Sequence, residues 1–185
     1  MVMSKVLFLD RDGVVNADHG YVYKPDEFEF LPGVFDACKK FIDAGYEIVI
    51  VTNQSGIGRG YYSEQDFLNL TDWMKAEFMR HDVPILDVYF CPHHPTKAEP
   101  AYLQDCHCRK PAPGMLLQAI EEHSITPSQS IMVGDKLGDL IAAERVQIAT
   151  RVLVRSGQSY AESTEQHADY VCESLADLPA LILQS

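Results

Sequence analysis

Asp10 and Asp12, in the stretch DRDG (10–13), stand two residues apart at the end of a short apolar run. On an extended strand, residues two apart point the same way, so both carboxylates share one face beside a glycine turn. Two such carboxylates repel unless a cation binds or one of them holds a proton. A magnesium site with an acid–base partner meets both conditions, although Asp and Gly also occur in plain strand-to-turn junctions. Further along, Thr52, Asn53, Gln54 and Ser55 offer a hydroxyl, amides and main-chain donors suited to phosphate oxygens. Asp135 and Asp139 frame Lys136 in the stretch GDKLGD. Arg109 and Lys110 precede a proline-rich helix start and bring local positive charge to a chain of net charge −12.

A second constellation lies in CPHHPTKAEPAYLQDCHCRKP (91–111), with three of the five cysteines and three of the seven histidines. Cys91, His93, Cys106 and Cys108 form the pattern C-x-H-x12-C-x-C, four ligands for tetrahedral zinc. His94 and His107 stand beside them as rival ligands. A set of four without a fifth suits a closed structural site better than a catalytic one. In a reducing compartment clustered cysteines favour metal over a disulfide.

These residues need a scaffold. A chain of 185 residues, 46% hydrophobic and 23% charged, suits one soluble domain spanning 1–185, with the zinc loop at 91–108. The negative charge opposes nucleic acid as a partner. A small anionic substrate would need a local cationic cluster. The start MVMSKVLFLDRDG is too short and wrongly flanked for a signal peptide, and no apolar run is long enough to span a membrane. The expectation is a cytoplasmic protein with no membrane partner, and a monomer.

Short apolar runs alternate with amphipathic segments. Strands are expected at 5–10, 46–52, 86–91, 130–135, 150–154 and 169–172, each short and apolar. Helices are expected at 33–44, 63–80, 112–123 and 137–146, with a last one from Ser174. Ser63 serves as the cap of the long helix. The pattern predicts an α/β fold of Rossmann type, a parallel sheet flanked by helices. Ligands of such sheets bind beyond the carboxyl ends of the strands, where Asp10, Thr52 and Asp135 all fall.

Asp at strand one, Thr at strand two, Lys before a helix and GDxxxD at strand four resemble, in that order, the haloacid dehalogenase-like phosphatase superfamily. The likeness covers nearly the whole chain. It implies that Asp10 is the nucleophile and Asp12 the general acid and base. It implies that Mg²⁺ sits on Asp10, Asp12 through its carbonyl, and Asp135, and that Thr52 and Lys110 hold the phosphoryl group. Asp139 would orient Lys110 or the metal shell. Neither gap between motifs holds a cap domain, so loops must supply specificity.

The segments DRDGVVN, DHGYV, TNQSGIGRGYY, CPHHP and CHCRKP resemble a capless, zinc-looped branch that acts on a sugar bisphosphate. That likeness favours His93 as the zinc ligand and brings Asp18, His19, Gly20 and Tyr21, with Thr52 to Ser55, to the substrate. Arg109 and Lys136 would meet the second phosphate or the sugar. Arg11, Arg59, Arg109, Lys110 and Lys136 are expected to crowd the mouth, which suits a bisphosphate. Histidinol-phosphate phosphatases share the start and the zinc loop and are the nearest rival. A non-catalytic zinc module is the rival of another class. Cys38, Cys172 and Trp73 are expected in the core, and Tyr61 and Tyr62 either over the sugar or packed on neighbours.

Overall fold

The computed structural model describes residues 3–183. Strands β1 (Val6–Leu9), β2 (Glu47–Asn53), β3 (Asp87–Cys91), β4 (Ile131–Gly134), β5 (Thr150–Val154) and β6 (Tyr170–Cys172) form one parallel sheet in the order β3-β2-β1-β4-β5-β6. Strand β1 is buried along its whole length because its alternating side chains enter two separate cores. Leu7 and Leu9 meet α1 (Val34–Asp43), α3 (Glu64–Arg80) and α6 (Leu178–Ile182). Val6 and Phe8 meet α4 (Gly114–His123) and α5 (Leu137–Arg145). The strand therefore reads as an unbroken apolar run, and the chain turns polar where it leaves the sheet.

Local chemistry sets the helix ends. Ser63 Oγ accepts from Asp66 N at 3.0 Å while Asp66 Oδ2 accepts from Ser63 N at 2.9 Å, closing both ends of the first turn of α3. The four-residue α2 (Ser55–Gly58) follows directly from β2. The last helix does not begin at Ser174; a 3-10 turn (Leu175–Asp177) comes first, with Pro179 in the first turn of α6. Cys38 and Cys172 are buried, and Trp73 packs against the same core.

Between β1 and β2 lie only a 3-10 turn (Pro25–Glu27) and α1, and between β2 and β3 only α2 and α3. No cap domain is inserted at either point. Leu9 pairs with Ile50 on one side and with Val133 on the other, so the residues that follow emerge side by side. Chain order reverses at the β1–β4 pair, the switch point at which open α/β sheets bind ligands.

Candidate active site

Asp10, next after β1, is 6% exposed, and Lys110 reaches it from the loop ahead of α4. Lys110 Nζ lies 3.0 Å from Asp10 Oδ1, 2.8 Å from Val51 O and 2.7 Å from Asp139 Oδ1. Three acceptors match the three ammonium protons. Burial alone would lower the Lys110 pKa, but the carboxylates of Asp10 and Asp139 outweigh it and raise it, so the side chain stays cationic. Burial, then the charge of Asp139, pushes the Asp10 pKa up against the pull of Lys110. Asp135 is raised in the same way, by burial and then by Asp139.

Oxygen atoms of Asp10, Asp135 and Asp139 all lie within 4.8 Å of one another. Asp139 has its oxygens engaged: Oδ1 holds Lys110, and Oδ2 accepts from Asp135 N and Lys136 N at 3.1 and 3.2 Å. Asp135 Oδ2 accepts from Gln158 N at 3.0 Å, whereas its Oδ1 is buried without a hydrogen-bond partner among the described residues. A buried carboxylate oxygen without a donor calls for an explanation. Three carboxylates against one ammonium, with hard oxygen donors and an orphaned Oδ1, fit a magnesium ion held by Asp10 and Asp135.

Arg11, expected at the mouth, is 1% exposed and lies beneath the site. The chain leaves β1 at Leu9 and turns, and the Arg11 guanidinium packs inward over the rings of Phe28 and Phe67, 5.7 and 5.9 Å from their centroids. Its Nη2 donates to Asp12 Oδ1 and to Val22 O, both at 2.9 Å. Asp12 also accepts from Asn16 Nδ2 at 3.0 Å and from Gln54 Nε2 at 3.2 Å. Burial would raise the Asp12 pKa, but the Arg11 charge and these hydrogen bonds overcome it and hold the carboxyl below its ordinary value.

Gln54 is buried; it also donates to Thr52 Oγ1 at 2.9 Å and accepts from the Tyr62 hydroxyl. It thus orients Asp12 and Thr52 together. Tyr62 stacks on Tyr23, with ring centroids 5.1 Å apart, and also lines the cavity. Asn53 grips Lys110 in both directions, taking its N–H at 3.0 Å and giving its own amide to the Lys110 carbonyl at 3.2 Å. These two bonds tie the end of β2 to the Lys110 loop.

Above these groups opens a cavity of about 450 Å³. Asp18, Gly20 and Tyr21 line it from the loop after β1, and Asn53, Gln54 and Ser55 from the end of β2. Arg109, Lys110 and Lys136 complete the expected set. Two expected residues are placed elsewhere. Thr52 is buried under the floor at 1% exposure, and His19 turns outward to pair with Glu29 at 2.9 Å. Gln158 and Gly138 were not anticipated and line the same space. Gln158 follows β5, whose end had the same claim to attention as those of β1, β2 and β4 but carries no acid. Tyr21, at φ +52°, meets Tyr61 edge-on at the rim, 4.8 Å between centroids.

In the cysteine loop Cys106 Sγ lies 3.4 Å from both Cys91 Sγ and Cys108 Sγ, and His93 Nδ1 lies 3.7 and 3.4 Å from those two. Cys91 and Cys108 themselves are drawn together as a disulfide, a pairing the sequence reading had disfavoured. A disulfide engages two side chains and gives no reason for Cys106 and His93 to aim at the same point. Edges of 3.4–3.7 Å are close to those of a tetrahedron with ligands about 2.0–2.3 Å from zinc. The four side chains fit zinc on that convergence. Neither rival histidine joins them: His94 Nδ1 accepts from Thr96 N and Lys97 N at 3.2 and 2.9 Å, and His107 is exposed.

Comparison with known proteins adds to this geometry. Residues 107–178 match the family model described as HAD-hydrolase-like. The chain is 51% identical over 180 residues to the D-glycero-beta-D-manno-heptose-1,7-bisphosphate 7-phosphatase of Pasteurella multocida, covering 97% of each. It is 48% identical to the protein of the same name from Escherichia coli, covering 95% of this chain and 92% of that one. Among solved structures, the D,D-heptose 1,7-bisphosphate phosphatase of B. bronchiseptica, complexed with magnesium and phosphate, superposes with a TM-score of 0.82 at 32% identity, covering 97% and 98% of the two chains. With identity near one half over 95–97% of its length, this chain belongs to the D-glycero-beta-D-manno-heptose-1,7-bisphosphate 7-phosphatase family of HAD-like hydrolases.

Proposed function

We propose that the protein hydrolyses the 7-phosphate of D-glycero-β-D-manno-heptose 1,7-bisphosphate, a step toward the nucleotide-activated heptose of lipopolysaccharide. The β anomer is taken from the names of the relatives. The observation that carries the reading is the pairing of the Asp10–Lys110–Asp139 floor with a rim of cations over one cavity. Arg59, Arg109 and Lys136 all line it, and buried Arg59 Nε and Arg109 Nη1 have no hydrogen-bond partner among the described residues. Burial, together with the repulsion of Arg59, lowers the Arg109 pKa. Two guanidiniums in each other's field suit a dianion bound between them, and a monophosphate with an amine has less use for both.

Asp10 attacks phosphorus through a carboxylate oxygen; the bond from phosphorus to the sugar oxygen breaks, leaving an aspartyl-phosphate. Asp12 delivers a proton to the departing oxygen and later takes one from the water that attacks the aspartyl-phosphate. The depressed Asp12 pKa favours the base form between turnovers, and a phosphate dianion arriving beside it raises its hold on the proton. Lys110 lines the cavity and holds phosphoryl oxygens once Asp10 turns to phosphorus and gives up its share of the ammonium. Thr52, beneath the floor, acts through Gln54, whose amide its hydroxyl accepts. Mg²⁺ held by Asp10, Asp135 and the Asp12 carbonyl would neutralise charge on the transferring group.

The zinc loop runs directly into Arg109 and Lys110, so we assign it the role of a brace. A cytoplasmic setting, where thiols stay reduced, suits four zinc ligands. Cys106→Ser is expected to lose zinc, measured as metal per chain, and to lower turnover by misplacing both cations. Zinc-free protein with unchanged kcat and KM would remove the loop from the function. Arg109→Ala should raise KM for the bisphosphate about 10- to 100-fold, the value of a charge-assisted contact, and leave cleavage of heptose 7-phosphate nearly unchanged. Equal losses on both substrates would place Arg109 away from the second phosphate.

The experiment that tests the function is phosphate release, with and without Mg²⁺, from the β and α anomers of the bisphosphate and from histidinol phosphate. The β anomer should be cleaved fastest. Faster release from histidinol phosphate would overturn the assignment.

A further inference from the structure

The turn after β5, residues 155–158, has no part in the chemistry above, yet it touches both ends of the site. Because β5 lies beside β4, the turn arrives next to Asp135. Ser156 Oγ donates to the Gly13 carbonyl at 2.8 Å, tying the turn to the loop of the two catalytic aspartates. Gly157 packs so closely that a Cβ there would lie 2.1 Å from Asp135 Oδ2. Gln158 then makes two bonds in different directions. Its N–H donates to Asp135 Oδ2 at 3.0 Å, and its Nε2 crosses the cavity wall to Asp18 Oδ2 at 3.0 Å. Asp18 Oδ1 meanwhile accepts from Gly20 N at 3.1 Å, so both Asp18 oxygens have donors.

We infer that Gln158 is a positioning residue that couples the magnesium floor to the substrate-recognition loop, its main chain serving one and its side chain the other. The main-chain bond occupies Asp135 Oδ2 and leaves the buried Oδ1 as the atom offered to the metal. The side-chain bond fixes Asp18, and through it Gly20 and Tyr21, which line the cavity. Asp18 needs that hold, since the cavity it lines contains Asp10 and Asp12, which repel it, and Arg59, Arg109 and Lys136, which would otherwise draw it into the place of the phosphate. Like charges push an unanchored carboxylate outward, and a neutral amide donor holds it without competing for phosphate as a cation would. Floor and loop thus share one registration point.

The inference rests on the proposed bisphosphatase reading, and its test separates the two. Gln158→Ala removes the amide and keeps the N–H. It should raise KM for the bisphosphate about three- to tenfold, the value of one partly exposed hydrogen bond to a charged group, with kcat within about twofold. Magnesium affinity, measured by calorimetry on the substrate-free protein, should not change. Gly157→Ala forces a methyl against Asp135 and should weaken that magnesium affinity about tenfold or more. In a double-mutant cycle, adding Gln158→Ala to Asp18→Ala should bring no further rise in KM, because the amide acts only through that carboxylate. Additive effects in the cycle, or a loss in kcat at unchanged KM, would overturn the inference even if Gly157→Ala fails to fold. Absence of bisphosphate cleavage by the unmodified protein would instead overturn the functional reading, and the magnesium measurements would still stand.

Discussion

Asp10→Asn is expected to abolish turnover and, in metal-free buffer, to make the protein more stable. Loss of the nucleophile should cost on the order of 10⁴-fold or more in kcat, since the amide cannot form the covalent intermediate. The stability gain follows from the crowding of Asp10, Asp135 and Asp139 around a single buried ammonium. Removing one charge relieves repulsion, while Asn can still accept from Lys110. A gain of about 1–2 kcal/mol would raise Tm by roughly 2–8 °C in a chain of this size. The pH dependence has a definite sign. Asp10 holds its proton more tightly when folded than when unfolded, so metal-free stability falls as pH rises above its ordinary value of 3.8 toward the higher folded value. Asp10→Asn should flatten that fall. Mg²⁺ should stabilise the native protein more than the variant, because the ion offsets the same repulsion. A variant that still released phosphate, or that unfolded earlier than the native protein without metal, would contradict this account.

The strand ends were legible because every central strand is buried on both faces. An apolar run that stops at a polar residue marks the rim of the sheet, and Asp10, Thr52 and Asp135 each stand at such a stop. Lys110 was legible by order and by likeness, not by pattern, since nothing local tells that it reaches a residue one hundred positions away. Other misplacements have separate physical causes. Arg11 stands in sequence beside the mouth, but its guanidinium is drawn inward by partners that only the fold supplies, the Val22 carbonyl and the rings of Phe28 and Phe67. His19 and Asp18 are neighbours in one loop, and partners far away in sequence separate them: Gln158 holds Asp18 at the cavity while Glu29 takes His19 outward. Gln158 was missed because its strand end bears no acid, and an uncharged amide gives no signal until its partners are known. The choice of His93 over His94 depends on His94 spending its ring on its own turn.

Lys110→Met should move stability in the opposite direction from Asp10→Asn, and the contrast isolates what the lysine does. Its ammonium is buried with Asp10, Asp139 and the Val51 carbonyl as its three acceptors. Methionine fills a similar volume but leaves two buried carboxylates without their cation. Breaking one side of a buried charged set typically costs about 3–5 kcal/mol, which corresponds here to a Tm lower by roughly 6–20 °C. Turnover should fall by at least about 10²- to 10³-fold, since the same ammonium faces the phosphoryl oxygens in the transition state. Lys110→Arg is not a rescue, because a planar fork cannot satisfy three acceptors that converge on one point. The double variant Asp10→Asn with Lys110→Met should recover part of the stability that Lys110→Met loses, as it removes one of the two stranded carboxylates. Denaturant midpoints for the four proteins, read alongside kcat, give the result. A Lys110→Met protein with an unchanged midpoint would mean that Asp139 and Asp10 find another cation, and that the lysine is present for phosphate alone.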